Sequence, residues 1–166
     1  VGQRSTTTGP FAELDDGRIV VAGNGGLIEV DLHERSAVAE VLRSDGLSLT
    51  GHVAVGGSVL VVDTPDGLRR YDATSLTPLG PPFPLTLDSV DGKFALSPDG
   101  ESIAAVGATG TQVFDAATGA PRWAAPGPGD FVRPVFSPDG SMVVVSGRQG
   151  TVFALATDDG RTLWST

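Results

Sequence analysis

Short turn pairs recur along this chain with a period that leaves few architectures open. Asp16-Gly17, Gly56-Gly57, Asp99-Gly100 and Asp139-Gly140 follow one another at steps of 40, 43 and 40 residues. A second series, Gly26, Gly67, Gly110 and Gly150, advances by 41, 43 and 40 residues, and an aspartate stands five residues after each of its first three members: Asp31, Asp72 and Asp115. Two independent markers in one register define four repeats. A period of this size dictates the whole architecture, because each unit buries its apolar face only against its neighbours.

Between the turns lie short β-branched runs, Ile19 to Ala22, Val59 to Val62, Ile103 to Val106 and Met142 to Val145, which read as strands. They are almost uninterruptedly apolar, as expected of mid-sheet strands buried on both faces. The fourth unit shows the plan: Val132 to Phe136, the turn Ser137-Pro138-Asp139-Gly140, Met142 to Ser146, the turn Arg148-Gln149-Gly150, Thr151 to Ala156, the turn Asp158-Asp159-Gly160, then Arg161 to Trp164. Pro at the second and Gly at the fourth turn position suit a type I turn, and Asp-Gly pairs tolerate positive φ. With 23 Gly and 12 Pro in 166 residues, long helices are not expected. About forty residues per four-stranded antiparallel sheet predicts an all-β fold of propeller blades.

The predicted organisation is a linker over residues 1–10 and a single propeller domain over 11–166, with blades near 11–46, 47–86, 87–127 and 128–166. Propellers of this kind usually close with more blades, so the chain is expected to form half or part of a larger ring. Its end faces, near Ile19 to Ala22 and Met142 to Val145, would then be covered by a second copy in a homodimer or by further blades of a parent chain. The alternative is a closed four-bladed propeller. The start at Val1 without Met and the stop after a strand ending in Trp164 fit a segment of a longer protein.

Phe136-Ser137-Pro138-Asp139-Gly140 and Leu96-Ser97-Pro98-Asp99-Gly100 resemble the F-S-P-D-G turn of bacterial WD-repeat propellers. The dipeptide that names that family falls at Val30-Asp31, Tyr71-Asp72, Phe114-Asp115 and Leu155-Ala156, so Trp is never kept, and the Gly-His pair survives only as Gly51-His52. The bracing network of regular members is therefore replaced by packing. Val152 to Trp164 also resembles quinoprotein-type repeats, and Thr118-Gly119 with Trp123 echoes it; at the equivalent positions the first two blades carry Ala39 and Gly80. An excess of Arg over Lys agrees with a GC-rich bacterial genome.

The resemblance implies a non-enzymatic interaction or sensing domain of a larger bacterial regulatory or signalling protein. The alternative is a fragment of a quinoprotein-like enzyme or assembly factor, and such enzymes need a complete ring and a cluster of acidic and amide metal ligands. The residues themselves point away from catalysis. Asp15, Asp16, Asp99, Asp139, Asp158 and Asp159 sit beside Gly where an Asp caps its own turn, and Asp31, Asp72 and Asp115 end third strands as scaffold. Asp158-Asp159-Gly160 lacks the alternating ligands of a calcium loop. His33 and His52, in different blades, lack zinc spacing, and His52 reads as a satisfied structural group. Gly23-Asn24-Gly25-Gly26 precedes a strand rather than the helix that a phosphate loop requires. Trp123 and Trp164, on outermost strands, are expected to pack against a neighbouring blade. No cofactor, metal or catalytic group is expected. The absence of Cys leaves the redox compartment open, with a cytoplasmic setting the default.

Strand direction sorts the turns by face. The aspartate turns fall on one side, expected to be strongly acidic. The opposite side receives the first-strand entrances and second turns, where Lys93, Arg133 and Arg148 from two adjacent blades form a basic spot, the candidate binding site. With a net charge of -9, a protein partner is expected there, and neither nucleic acid nor an anionic membrane. The proline-rich stretch from Thr77 to Leu85 cannot donate fully to a ladder and is predicted to form an outer edge or an extended crossing between the second and third blades.

Overall fold

A computed structural model of the chain describes residues 8–9, 11–14, 16–23, 26–31, 36–40, 52–64, 66–83, 94–107, 109–127, 131–147 and 150–166. Every regular element among them is a strand. After β1 (Thr8–Gly9), the first blade is β2 (Phe11–Glu13), β3 (Ile19–Gly23), β4 (Gly26–Asp31) and β5 (Ser36–Glu40), paired in that order. The second blade carries β6 (Val53–Gly56), β7 (Val59–Thr64) and β8 (Gly67–Asp72). The third is β9 (Phe94–Leu96), β10 (Ser102–Gly107), β11 (Gly110–Asp115) and β12 (Pro121–Pro126). The fourth is β13 (Phe131–Phe136), β14 (Met142–Gly147), β15 (Val152–Ala156) and β16 (Thr162–Ser165). All pairings are antiparallel, as the turn chemistry predicts.

The second blade departs from the repeat at both edges. Thr8–Gly9, inside the expected linker, pair with β6 through Thr8↔Ala54 and Gly9↔Val53, so the fourth strand of this sheet lies on its inner side. On the outer side the proline-rich stretch follows β8 as bridges rather than a strand, Tyr71↔Pro78 and Leu68↔Phe83. Leu79 and Phe83 still donate their N–H groups to Arg70 and Leu68. The prolines supply no donors, so the ladder is broken into these contacts.

Each blade presents one cross-strand row to the next. In the third blade the row is Ala95, Ala104, Val113 and Trp123. In the first two blades it begins with Ala12 and Val20, and with Ala54 and Val61. Three apolar cores result, one at each junction of successive blades, the first around Val20, Leu60 and Tyr71, the second around Phe94 and Ile103, the third around Phe136 and Val143. Among the described residues, four blades with three cores make an open arc. The inner blades are buried on both faces, as Leu60 to Val62 and Ile103 to Val106 show. In the end blades the pattern alternates: Val20, Ala22, Val143 and Val145 are buried, whereas Ile19, Val21, Met142 and Val144 are only half-buried. The apolar runs of β3 and β14 therefore do not have two buried faces, because no neighbour covers the second one among the described residues.

Polar contacts pin the junctions. Arg18, just before β3, bonds Asp16 at 2.6 Å and Glu29 at 3.1 Å, and donates to the Thr74 carbonyl of the second blade at 2.9 Å. Gly56 lies so close to the third blade that a Cβ would stand 2.0 Å from the Ser97 carbonyl, which is why the second repeat has Gly-Gly where its neighbours have Asp-Gly.

Candidate functional site

Two faces of the arc carry polar side chains. On one, the turn after each first strand meets the turn after the third strand of the same blade, as in the bonds from Ala116 N–H to the Glu101 carbonyl and from Thr157 N–H to the Ser141 carbonyl. Asp16, Asp72, Asp99, Asp115, Asp139 and Asp159 gather here and are bound into their own turns, whereas Asp63 and Asp66 flank the β7–β8 turn at the opposite face, where Asp63 donates its N–H to the His52 carbonyl. Asp72 accepts from Thr74 and Ser75, and Asp115 from Ala117 and Thr118. Asp99 and Asp139 accept from the hydroxyls of Ser97 and Ser137, respectively, and from the backbone N–H groups of Glu101 and Ser141, the residues just before the next strands. The side chain of Asp31 and all of Asp15 lie outside the described residues.

These bonds hold the carboxylates ionised. The Arg122 guanidinium, with the Thr118 hydroxyl, lowers Asp115 to about 2. The Ser137 hydroxyl and the Ser141 N–H lower Asp139 to about 2. For Asp99, burial pushes upward but the Ser97 and Glu101 bonds outweigh it, and the net shift is downward. A carboxylate held so far below neutrality stays ionised near pH 7 and neither donates nor accepts a proton usefully there.

The face is also less acidic than strand direction alone predicts. Arg18, Arg122 and Arg161 stand among its aspartates, paired with Asp16, Asp115 and Asp159. Between the third and fourth blades an open cleft of about 590 Å³ has Asp99, Asp139 and Asp158 alternating with Arg122 and Arg161 along its walls. No group of three His, Cys, Asp or Glu side chains placed to hold a metal ion occurs among the described residues.

The opposite face holds the first-strand entrances. Here Arg133 of β13, exposed, places Nη2 3.4 Å from Nε2 of His52, at the entrance to β6 two blades away. The other ring nitrogen of His52, Nδ1, is buried without a partner among the described residues. His52 is thus not the fully satisfied structural group that its position suggests. Of the predicted basic spot, Arg133 is placed on this face, whereas Lys93 and Arg148 lie outside the described residues, as does His33.

The aromatic prediction is met at Trp123 by a specific contact and not at Trp164, which is 45% exposed because no further blade faces it among the described residues. Trp123 of β12 reaches across to the fourth blade and donates its indole N–H to the Thr157 carbonyl at 2.7 Å. Its ring lies on Gly160, where a Cβ would stand 2.5 Å from Cε3. One junction earlier, the ring of Phe83 covers Gly119 in the same way, with Cδ2 2.8 Å from a Cβ placed there. Both glycines have positive φ, 73° and 74°, at matching positions in the turn after the third strand. Sequence reasoning assigned Gly80 to the equivalent position of the second blade; the working residue is Phe83, three places later, because the proline stretch lengthens the path.

A family model described as outer membrane protein assembly factor BamB, built on PQQ-type repeats, matches residues 83–166. That span starts at Phe83 and contains both aromatic-on-glycine contacts, and it is just over half of the chain. The chain belongs to this family. Among solved structures it is similar to a chain in the crystal structure of a mitotic checkpoint complex, with a TM-score of 0.67 at 16% identity, covering 99% of this chain and 52% of that one. It is also similar to the computationally designed Ika8 protein, with a TM-score of 0.63 at 15% identity, covering 94% and 48%. The chain therefore spans about half the length of these structures, and the likeness shows the propeller fold. No curated protein sequence matches it.

Proposed function

We propose that the chain is a non-enzymatic interaction module, a scaffold of assembly-factor type within a larger bacterial regulatory or signalling protein, whose first-strand face holds an acidic segment of a protein partner. The observation that carries this reading is the Arg133–His52 contact, which gathers cationic and titratable groups from two blades on the face away from the aspartate turns. Lys93 and Arg148, at strand entrance and second turn by sequence, would extend that spot. The F-S-P-D-G turns support the regulatory setting, and the BamB-like repeats support the scaffold role. The net charge of -9 favours a protein over nucleic acid. The non-enzymatic character is supported by carboxylates consumed in their own turns.

A fluorescein-labelled ten-residue glutamate peptide tests it by anisotropy across a salt series. The chain is expected to bind, more weakly as salt rises, and the triple variant Lys93→Glu, Arg133→Glu, Arg148→Glu is expected to lose at least tenfold in affinity and most of the salt slope. Equal affinity and slope in the two proteins would refute the face. Turnover of an alcohol by the chain supplied with pyrroloquinoline quinone and calcium would refute the non-enzymatic role.

A further inference from the structure

Between the outer strands of the third and fourth blades the two sheets stand apart. Val113 pairs with Trp123, which reaches the fourth blade, and two residues along the same strands Thr111 pairs with Ala125 and faces the same way, because strand side chains alternate. Opposite them, Phe153 and Leu155 of β15 pair with Val145 and Val143, which belong to the third core, so both face the third blade. An open cleft of about 380 Å³ remains between these walls, a volume within the range of small-molecule sites. Ala125 and Pro126 line one side, Phe153 and Leu155 the other. Thr111 lies at its base, 1% exposed, and Arg161, whose side chain is 66% exposed, stands at its mouth.

Thr111 is out of keeping with its surroundings. Four polar side chains are buried among the described residues: Thr64, Ser97, Ser102 and Thr111. Thr64 donates to the Gly67 carbonyl, Ser97 to Asp99, and the Ser102 hydroxyl accepts from Arg122. The Thr111 hydroxyl alone among the four has no partner among the described residues, although its ladder neighbours Val106 and Ala125 are apolar and a valine would suit the position. Arg161 is also loosely held. Asp159 takes its backbone N–H at 3.0 Å and reaches Nε at 3.4 Å, longer than the about 2.7–2.9 Å of a charge-assisted bond. Arg122 is by contrast committed to Ser102, Glu101 and Asp115.

We propose that this cleft binds a small aromatic carboxylic acid that carries a hydroxyl at the far end of its ring. The ligand hydroxyl pairs with Thr111, the ring packs between Ala125 and Phe153, and the carboxylate meets the Arg161 guanidinium at the mouth. The spacing fits. Gly160, under Trp123 and next to Arg161, stands two strand residues from the Thr111–Ala125 pair, about 7 Å, which one ring with a short chain spans. An aliphatic acid would leave the buried hydroxyl unpaired, and a neutral phenol would leave Arg161 unused. The site lies on the outer strands, apart from the Arg133–His52 contact on the first-strand face, and is independent of the protein-partner reading.

Titration calorimetry of the native chain with para-hydroxyphenylpropionate and with phenylpropionate tests it. The hydroxylated acid is expected to bind about fivefold more tightly, the worth of one hydrogen bond. Thr111→Val keeps the shape and removes the hydroxyl; it is expected to abolish that preference by weakening the hydroxylated acid alone. Without ligand the same variant is expected to melt above the native chain, since an unpaired buried hydroxyl is gone, so the lost preference is not a loss of folding. Arg161→Gln is expected to weaken both acids alike, by about threefold, and to keep the preference. Equal native affinity for the two acids, no binding of either, a preference that survives Thr111→Val, or affinities unmoved by Arg161→Gln would overturn the proposal. A lower Tm in Thr111→Val would show a partnered hydroxyl and overturn it equally. No readout involves Lys93, Arg133 or Arg148, so this site and the cationic face fail independently.

Discussion

Replacing Gly160 by alanine separates backbone strain from the contact that ties the third blade to the fourth. Gly160 has a φ of 74°, and an added Cβ would stand 2.5 Å from Trp123 Cε3 and 2.7 Å from Cδ2. The left-handed conformation costs an alanine about 1 kcal/mol. The ring must also lift, and with it goes the 2.7 Å bond from the Trp123 indole to the Thr157 carbonyl, worth about another 1 kcal/mol, along with part of the ring's packing. The sum is about 2–3 kcal/mol. For a chain of this length each kcal/mol shifts Tm by about 2–4 °C, so the expected loss is about 5–10 °C.

Gly150 supplies the control. Its φ is 85°, and nothing lies within 4 Å of a Cβ built there, so Gly150→Ala carries the strain without the collision. Its loss should stay near 1 kcal/mol, about 2–4 °C. Thermal melts followed by circular dichroism give both values, and the tryptophan emission of Gly160→Ala alone should shift to the red. Equal losses from the two substitutions would refute the argument that the ring on glycine stabilises the junction.

Leu76→Gly relieves a φ of 54° but removes a side chain that is 3% exposed in the first core, so a net loss of about 2 kcal/mol is expected in denaturant melts; a gain would mean that strain outweighs burial. Asp115 is lowered to about 2 from an ordinary value of 3.8, so its contribution is full above that ordinary value and is lost as pH falls toward 2. Stability measured from pH 6 to pH 2 should accordingly drop less steeply in Asp115→Asn, and parallel profiles would contradict this. Tm should be the same in millimolar calcium and in chelator, because the turn carboxylates are bonded to their own backbones rather than converging; a rise of several degrees with calcium would show a missed site.

What was legible in the sequence followed from local chemistry repeated in register. Turn glycines and β-branched runs recur at fixed steps, so strands, hairpins and blade number could be read without any long-range contact. What was hidden depended on irregular spacing or on a partner far along the chain. Trp123 and Trp164 stand eight residues after Asp115 and Ala156, but Phe83 stands eleven after Asp72, since Pro78, Pro81 and Pro82 stretch the outer edge. The complementary signal was present in the glycines: Gly119 and Gly160 mark the junctions that hold a ring, and Leu76 marks one that does not. The arginines of the aspartate face were also signalled, as Asp16-Gly17-Arg18 and Asp159-Gly160-Arg161, where each aspartate receives both the backbone N–H and the guanidinium of the residue two places on. Strand direction assigns a turn to a face of the ring, but the net charge of that face depends on which long side chains fold back over it. The pairing of Thr8–Gly9 with β6 had no local signal at all, because two residues carry no periodicity and their stability comes entirely from the strand they join. The open faces belong between these extremes. Val135 and Val144 have the composition of buried strands, and only the count of cores against blades shows that one face of that sheet is uncovered among the described residues.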